Sequence, residues 1–382
     1  MRGFGEMYCD EFNYKSLEIL KNKINAAPIV FFGASNLGIS TLEEFNKINL
    51  KVDFFCDNDS RKWGKEFQGI RVISVKELSS MPINTNIIIT SSYTDEIYNQ
   101  ISKLHKFNIF SLKTLEVLSE DGREYTLIEY YDFNENQKLL NKNLVYKNSG
   151  INKRAFLLAT GPSIKLEDLK KLEGEDCYSV SNFFLHKDIE AICPKIHFFA
   201  PYHKPLILEN YIEWLKVSDS KLPKTTNICI EISNRRFVED FKIFKDRKVS
   251  YVKFTDNPNK KEVDLTSDML GPQTSPIMVL AMLIYMGYEK IYLLGCDHTV
   301  LRDYGKVTRN FYEKNEDMRK NSTDNKAWFG IIEYLEATKK MFLQYKFYKE
   351  MIENKAISIV NLSRDSWLDL FPFDLLDKVI KR

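Results

Sequence analysis

The chain has 382 residues, enough for two domains with separate hydrophobic cores. Its 55 Lys and Arg residues nearly balance its 53 Asp and Glu residues, and the net charge of +2 argues against a general attraction to nucleic acid. We identify no signal peptide and no run of transmembrane length, and the six cysteines form no CxxC pair. These features predict a protein of the reducing cytoplasm, without a zinc site or a disulfide framework.

A first series of strands and helices is predicted in the N-terminal part of the chain. Short apolar runs that alternate with helix-length segments are typical of a parallel sheet covered on both faces. Residues 1–113 are therefore predicted to form a Rossmann-like domain. Its predicted elements are strand 28–35, helix 37–49 and strands 51–59, 71–75 and 86–92.

The turn after the first strand is the candidate ligand site of this domain. It contains two glycines, Gly33 and Gly38, where the dinucleotide-binding fingerprint requires three. Asp57 ends the second strand, where an acid that binds ribose would lie. The segment resembles the nucleotide-binding-like N-terminal domains of many sugar-modifying enzymes, including acetyltransferases of amino-sugars. A scaffold role is favoured over ligand binding, and the candidate residues are Gly33, Ser35, Asn36 and Asp57.

A second series follows residues 114–150, which are rich in Asn and Lys and are predicted to be a helical connector. Residues 151–382 are predicted to be a second α/β domain. A polar segment from Val300 to Lys326 is too long for an ordinary loop, which indicates a functional role. The predicted elements are strands beginning at 154, 177, 195, 227, 249, 290 and 356, and helices after the turn 159–163 and over 273–288 and 331–354.

Unusual residues follow several of these strands, at the sheet edge where α/β proteins bind ligands. The turn Ala159-Thr160-Gly161-Pro162-Ser163 precedes a predicted helix whose N-terminus would suit a phosphate. Asn182 needs partners for its amide, which a base, a ribose or an internal turn would supply. His203 follows the third strand, as a loop histidine or as a donor or base.

The fourth group of polar residues lies around the predicted helix 273–288. Gln273 precedes Thr274 and Ser275, whose hydroxyls would either cap the helix or face a ligand. Gly295 and Asp297 follow the next strand. A carboxylate at this position needs a partner, such as a ribose hydroxyl or a cytosine amine.

Taken in order, these motifs resemble bacterial sialyltransferases that act on lipooligosaccharide, and the wider group that includes motility accessory factors and pterin pyrophosphokinase-like domains. The family has a G-x-G-P-S turn, an Asn-aromatic end to the second strand, and a Thr-Ser helix start before a strand ending in G-x-D. The corresponding segments are 159–163, 181–184 and 274–297. The resemblance implies a GT-A-like, sialyltransferase-type fold with a lid over about 300–328.

The resemblance also implies an inverting glycosyltransferase that transfers sialic acid or a related nonulosonic acid from a CMP-activated donor, without a metal or another cofactor. The leaving phosphate would be bound by lid tyrosines, for which Tyr304 and Tyr312 are candidates. The family's lid histidine is missing, so His298, His203 and Asp324 are candidates for the general base. The nucleotide would be bound by Thr160, Gly161, Pro162, Ser163, Asn182, Gln273, Thr274, Ser275, Gly295 and Asp297.

Two other functions stay open at this stage: a pterin pyrophosphokinase-like diphosphotransferase and a non-catalytic sugar-nucleotide-binding protein. The acceptor would be a glycan, a glycolipid or a protein, and the pathway would be cell-surface polysaccharide biosynthesis. The C-terminal residues 366–382 are aromatic and amphipathic, which predicts a helix packed on the core or a peripheral contact with the inner face of the membrane. A homo-oligomer is also open, and no nucleic acid partner is expected.

Overall fold

The computed structural model describes residues 3–104, 106–299, 301–302, 310–319 and 330–381. Two of the predicted site residues, Tyr304 and Asp324, lie outside the described residues, as does much of the predicted lid over about 300–328. The chain divides into two compact units, Met1–Gln137 and Lys138–Arg382.

The first unit contains a seven-stranded sheet in the order β3-β4-β2-β1-β5-β6-β7. The pairs β3-β4 and β6-β7 are antiparallel and the others are parallel. The strands are β1 (Ile29–Phe32), β2 (Phe54–Cys56), β3 (Glu66–Phe67), β4 (Ile70–Ile73), β5 (Asn86–Ile89), β6 (Asn108–Leu118) and β7 (Glu124–Asp132). The α-helices are α1 (Phe4–Lys23), α2 (Asn36–Lys47), α3 (Val75–Ser79), α4 (Thr94–Ile101) and α5 (Phe133–Asn141).

The connector predicted over 114–150 differs from the structure. The long hairpin of β6 and β7 extends the first sheet through this region, and helical structure begins only at Phe133. The start of β7 shows the alternation typical of a strand, because Glu124 and Thr126 are exposed while Tyr125 is half-buried and Leu127 is buried. The Asn and Lys content after Asp132 favoured a helical connector, and this short alternation is a weaker signal.

The second unit contains an eight-stranded sheet in the order β13-β12-β11-β10-β9-β8-β14-β15, and all neighbouring strands are parallel. The strands are β8 (Arg154–Leu158), β9 (Asp176–Val180), β10 (Ile196–Phe198), β11 (Asn227–Glu231), β12 (Val249–Thr255), β13 (Asp268–Leu270), β14 (Lys290–Leu294) and β15 (Ser358–Asn361). The α-helices are α6 (Ile189–Ile192), α7 (Leu208–Lys221), α8 (Arg235–Asp240), α9 (Ser275–Tyr285), α10 (Ile331–Ile352) and α11 (Leu376–Ile380).

The core of the second unit is built around α9. Ten consecutive residues of this helix, Pro276 to Tyr285, are buried, so it is apolar on every side. It packs with β8, β9 and α10 in one continuous cluster of buried side chains. The prediction of two α/β domains with mainly parallel sheets is confirmed.

Candidate functional site

The second sheet has a topological switch point between β8 and β14. The chain moves from β8 through β9 to β13 on one side, and then crosses back to β14 on the other. A crevice opens at such a point in parallel sheets because the loops after the two strands diverge. A cleft of about 290 Å³ lies there, lined by Ala159, Thr160, Gly161, Pro162, Val180, Ser181, Thr274, Ser275, Pro276, Gly295, Asp297, His298, Thr299, Asn310 and Arg319.

Two glycines fix how closely the loops after β8 and β14 approach each other. A Cβ atom on Gly161 would lie 2.5 Å from the Gly295 carbonyl oxygen and 2.6 Å from Cγ of Asp297. A Cβ atom on Gly295 would lie 2.6 Å from the Ala159 oxygen, and Gly295 also has a φ of +67°. Both positions therefore require glycine to pack the two loops together. The Gly161 amide donates to the Gly295 carbonyl at 2.9 Å.

The Asp297 carboxylate accepts its hydrogen bonds from Ser163. Ser163 donates to its carboxylate from the backbone amide at 2.8 Å and also from the side-chain hydroxyl. Burial raises the pKa of Asp297, while the bonds from Ser163 and the charge of Arg302 oppose that rise. Each carboxylate oxygen has lone pairs beyond the one that Ser163 occupies, so Asp297 can also accept from a ligand in the cleft.

The prediction of a helix after the turn from Ala159 to Ser163 is wrong. Two short 3-10 segments, Pro162–Leu166 and Leu169–Leu172, occupy this region instead. Glu167 and Asp168 have extended backbone conformations that separate the two segments, and the Asp168 side chain accepts from the Lys170 amide at the start of the second. The long-helix dipole expected at this turn is therefore missing, and any anion here would have to find other donors.

The start of α9 supplies polar groups from a third element. Thr274 is the N-cap residue, but its side chain makes no capping hydrogen bond. The hydroxyls of Thr274 and Ser275 line the cleft, beside the N-terminus of this eleven-residue helix. Gln273 lies outside the cleft lining, and its backbone amide donates to Oε1 of Gln344 at 2.7 Å.

Asn182 is fully buried and is not among the residues that line the cleft. Its Oδ1 accepts from Nε1 of Trp214, which meets part of its need for partners. Its Nδ2 lies beside the Tyr312 hydroxyl and the Asp317 carboxylate without a full hydrogen bond. Asn182 therefore supports the wall of the cleft and does not line it.

Among the described residues that line the cleft, Arg319 is the one lysine or arginine, and it was not among the predicted site residues. Its guanidinium makes two bonds to Asp317, from Nε at 2.9 Å and from Nη2 at 2.8 Å. It also donates to Ser181 Oγ at 2.9 Å and to the Tyr312 hydroxyl at 3.1 Å. The ring of Trp214 lies 5.0 Å from its Cζ, which adds a cation–π contact. The D-x-R spacing of 317 and 319 was a signal for this local pair.

The described part of the polar segment lies against the loop after β8. The Phe311 amide donates to the Thr160 carbonyl at 3.0 Å, and Thr160 Oγ1 donates to Asn310 at 3.2 Å. Tyr312 is buried, and burial raises its pKa to about 12. It bonds to Arg319 and is absent from the cleft lining, so here it holds the cation instead of facing a ligand.

The two histidines considered as general bases lie in different places. His298 lines the cleft, with a left-handed φ of +52° and its Nε2 2.9 Å from the Tyr345 hydroxyl. Burial lowers the pKa of His298 to about 4, so the imidazole is neutral at pH 7. His203 is an exposed loop residue outside the cleft lining, and its Nδ1 lies 3.0 Å from the Lys204 carbonyl oxygen.

The candidate site of the first unit is occupied by its own side chains. The Asp57 carboxylate accepts from the Ala34 amide at 3.0 Å and from Lys62 at 2.8 Å. Ser35 caps α2, and a Cβ atom on Gly33 would lie 2.5 Å from the Thr90 oxygen. Asn36 is exposed, as the first residue of α2.

The C-terminal segment contains a helix of only five residues, α11, in place of the longer amphipathic helix considered above. Leu368, Phe371, Leu376 and Val379 are buried, and exposed apolar side chains remain, among them Trp367, Phe373 and Leu375. Within the described ranges, no helix is long and apolar enough to cross a membrane. The described residues also contain no group of three or more His, Cys, Asp or Glu side chains that could hold a metal ion. All six cysteines are free, and Cys193 is exposed while the other five are buried.

Comparison with known proteins gives one family and several solved structures. The family described as C2185-like, N-terminal matches residues 25–109, and the comparison with curated proteins gave no match. The sialyltransferase CstII from Campylobacter jejuni, solved with the substrate analogue CMP-3FNeuAc, is 18% identical, with a TM-score of 0.33 over 58% of this chain and 85% of that chain. The monofunctional alpha-2,3-sialyltransferase Cst-I from the same organism is 21% identical, with a TM-score of 0.37 over 59% of this chain and 82% of that chain.

Proposed function

We propose that this protein is a glycosyltransferase that moves sialic acid or a related acidic sugar from a CMP-activated donor to a glycan acceptor, with inversion at the anomeric carbon. One observation carries the proposal. Loops that follow β8 and β14, the start of α9, and Arg319 from the polar segment converge on one cleft at the switch point of the sheet. Seven residues proposed from the motif resemblance line it: Thr160, Gly161, Pro162, Thr274, Ser275, Gly295 and Asp297.

The nucleoside would lie against Asp297 and the hydroxyls of Thr274 and Ser275. Cytosine carries both a donor amine and acceptor atoms, and ribose hydroxyls both donate and accept. A carboxylate with spare lone pairs beside two hydroxyls can satisfy such a mixed set. Uracil has a carbonyl oxygen in place of the cytosine amine, so the Asp297 carboxylate would favour cytosine over uracil. Adenine also carries an amine, but it is a larger bicyclic base without the cytosine carbonyl.

The donor phosphate would face Arg319 and the N-terminus of α9. Phosphate accepts hydrogen bonds strongly, and a helix N-terminus adds a favourable dipole. Arg319 keeps one of its five N–H donors without a partner among the described residues, because four are used by Asp317, Ser181 and Tyr312. As the bond to the sugar breaks, negative charge grows on the phosphate, and these donors would stabilise the leaving group.

His298 is our candidate for the general base, since it is the described histidine that lines the cleft. Its imidazole is neutral because burial lowers its pKa to about 4, so it is in the form that accepts a proton at neutral pH. The base would take the acceptor hydroxyl proton as the new glycosidic bond forms.

We also propose an acceptor and a place in the cell where it is used. A lipid-linked glycan at the inner face of the membrane would bring the acceptor close to a peripheral enzyme. The exposed Trp367, Phe373 and Leu375 are the candidate contacts for that surface.

The test begins with nucleotide binding by calorimetry, using CMP, UMP, AMP and GMP with and without magnesium. We expect CMP to bind most tightly, with no requirement for magnesium. Arg319→Ala should lose at least about tenfold in CMP affinity, the scale of one charge-assisted hydrogen bond. The matched control is Arg235→Ala, since the side chains of Arg235 and Arg319 are 18% and 21% exposed and each pairs with a nearby acid.

Turnover is measured next, as hydrolysis of CMP-activated acidic sugars by wild type, Arg319→Ala and His298→Asn. Release of CMP by the wild type and its loss in Arg319→Ala support the glycosyltransferase. Tight binding of ATP with magnesium in place of CMP would instead indicate the diphosphotransferase. CMP binding without turnover of any donor would indicate a non-catalytic sugar-nucleotide-binding protein.

A further inference from the structure

A chain of hydrogen bonds crosses the second sheet behind the cleft. Ser179 on β9 and His197 on β10 are both fully buried, and Ser179 Oγ lies 2.7 Å from His197 Nδ1. The other ring nitrogen, Nε2, lies 2.9 Å from the Ser181 carbonyl oxygen. A carbonyl oxygen only accepts, so Nε2 carries the hydrogen and Nδ1 accepts from the Ser179 hydroxyl. Burial lowers the pKa of His197 to about 3, which keeps this neutral form throughout the physiological range.

Ser181, the last residue of this series of hydrogen bonds, has an unfavourable backbone conformation. Its φ is +56°, in the left-handed region, which costs a residue other than glycine about 1 kcal/mol. Its carbonyl begins a 3-10 segment, Ser181–Leu185, and also accepts from Nε2 of His197, a bond that ties this turn to the neighbouring strand β10. The imidazole therefore holds the turn that points Ser181 toward the cleft.

Ser181 in turn contacts the cation of the cleft. Its Oγ accepts from Nη1 of Arg319 at 2.9 Å. The remaining N–H of Arg319 is on this same nitrogen, because Nε and both hydrogens of Nη2 are directed to Asp317 and Tyr312. The position of Ser181 thus helps set where the last donor of the guanidinium points.

We propose that His197 is a positioning residue for the nucleotide cleft, although it does not line it. By fixing the left-handed turn at Ser181, it orients Arg319 toward the phosphate of the bound nucleotide. The identity of that nucleotide rests on the proposed function, but the coupling from His197 to Arg319 does not. The sequence offered no signal for this role, because His197 lies between apolar residues within a strand.

Two substitutions separate positioning from packing. His197→Gln can keep an N–H donor near the position of Nε2, whereas His197→Leu fills similar space without any donor. We expect His197→Leu to lose about tenfold in CMP affinity, the effect of one misplaced hydrogen bond, and His197→Gln to stay within about threefold of wild type. Cys229→Ala is the control for lost core packing, since Cys229 is fully buried on the neighbouring β11. It should lose stability but keep its CMP affinity.

Crystal structures of the variants without nucleotide test the coupling independently of the ligand. In His197→Leu, Ser181 should leave the left-handed region and its Oγ should move out of hydrogen-bonding distance of Arg319; in His197→Gln both features should persist. Unchanged CMP affinity and an unchanged Ser181 in His197→Leu would overturn the proposal, as would an equal loss of affinity in Cys229→Ala. If wild type fails to bind CMP, the proposed function fails, and the crystal structures alone decide the role of His197.

A second route applies if His197→Leu does not fold. Ser181→Gly allows the left-handed turn without strain but removes the Oγ that accepts from Arg319. We expect it to fold and to bind CMP about tenfold more weakly than wild type. CMP affinity equal to wild type in Ser181→Gly would overturn the proposal.

Discussion

His298 gives the second unit a pH-dependent stability that can be worked out from its burial. The folded protein lowers the pKa of this imidazole from 6.5 to about 4, because burial disfavours the charged ring. A group with a depressed pKa contributes stability that is fully present above pH 6.5 and is lost as the pH falls toward 4. His298→Asn removes the titrating group, and Asn tolerates the left-handed φ of +52° at this position.

The size of the effect follows from the linkage relation. Each unit of pKa shift corresponds to about 1.4 kcal/mol. Between pH 7 and pH 5 the unfolded chain binds a proton at His298 that the folded chain resists. We therefore expect His298 to account for about 2 kcal/mol of lost stability over this interval. His197 contributes in the same direction, but it is present in both proteins and cancels from the comparison.

Urea unfolding at pH 7 and pH 5 measures the effect in wild type and in His298→Asn. Both proteins should carry Trp63→Phe, which removes the only tryptophan of residues 1–137, so that fluorescence follows the second unit. The free energy of unfolding should fall by about 2 kcal/mol less in His298→Asn than in wild type. Equal losses in the two proteins would refute the inference that His298 is buried in its neutral form.

Two further predictions concern the cleft wall. Gly161→Ala should destabilise the second unit by about 1–3 kcal/mol and weaken CMP binding, because its Cβ would lie 2.5 Å from a backbone oxygen; Gly271→Ala, whose Cβ would meet nothing nearer than 3.6 Å, is the control in thermal unfolding. Equal melting temperatures for the two variants would contradict this packing. Asp317→Asn should destabilise the folded state by about 2 kcal/mol or more and weaken CMP binding, because Arg319 loses its charged partner. Urea unfolding measures the stability and calorimetry measures the CMP affinity. Unchanged values of both would contradict the prediction.

Much of the fold was predictable because buried parallel strands are nearly continuous apolar runs. After a basic first residue, segments 154–158 and 290–294 consist of four consecutive buried apolar or aromatic residues. The hairpin of β6 and β7 was missed because its strands are half-exposed and mix apolar with charged residues. The Asn and Lys content predicted a connector there, whereas the short alternation over 124–127 indicated a strand.

The site was only partly predictable, for a physical reason. Residues that leave strand ends, such as Thr160 and Asp297, can be placed at one edge of a sheet from sequence alone. Arg319 could not, because it lies in a segment without regular periodicity and reaches the cleft only through contacts with Ser181 and Tyr312. Asn182 was misplaced for the opposite reason, since sequence cannot show that Trp214 occupies its amide oxygen.

The most direct test of the central claim is a crystal structure of the protein grown with CMP. The account predicts the nucleotide in the cleft between the loops after β8 and β14, with a phosphate oxygen bonded to Nη1 of Arg319 and polar contacts to Thr274, Ser275 or Asp297. Density for CMP at another place on the chain, or a cleft that stays empty at saturating CMP, would contradict it.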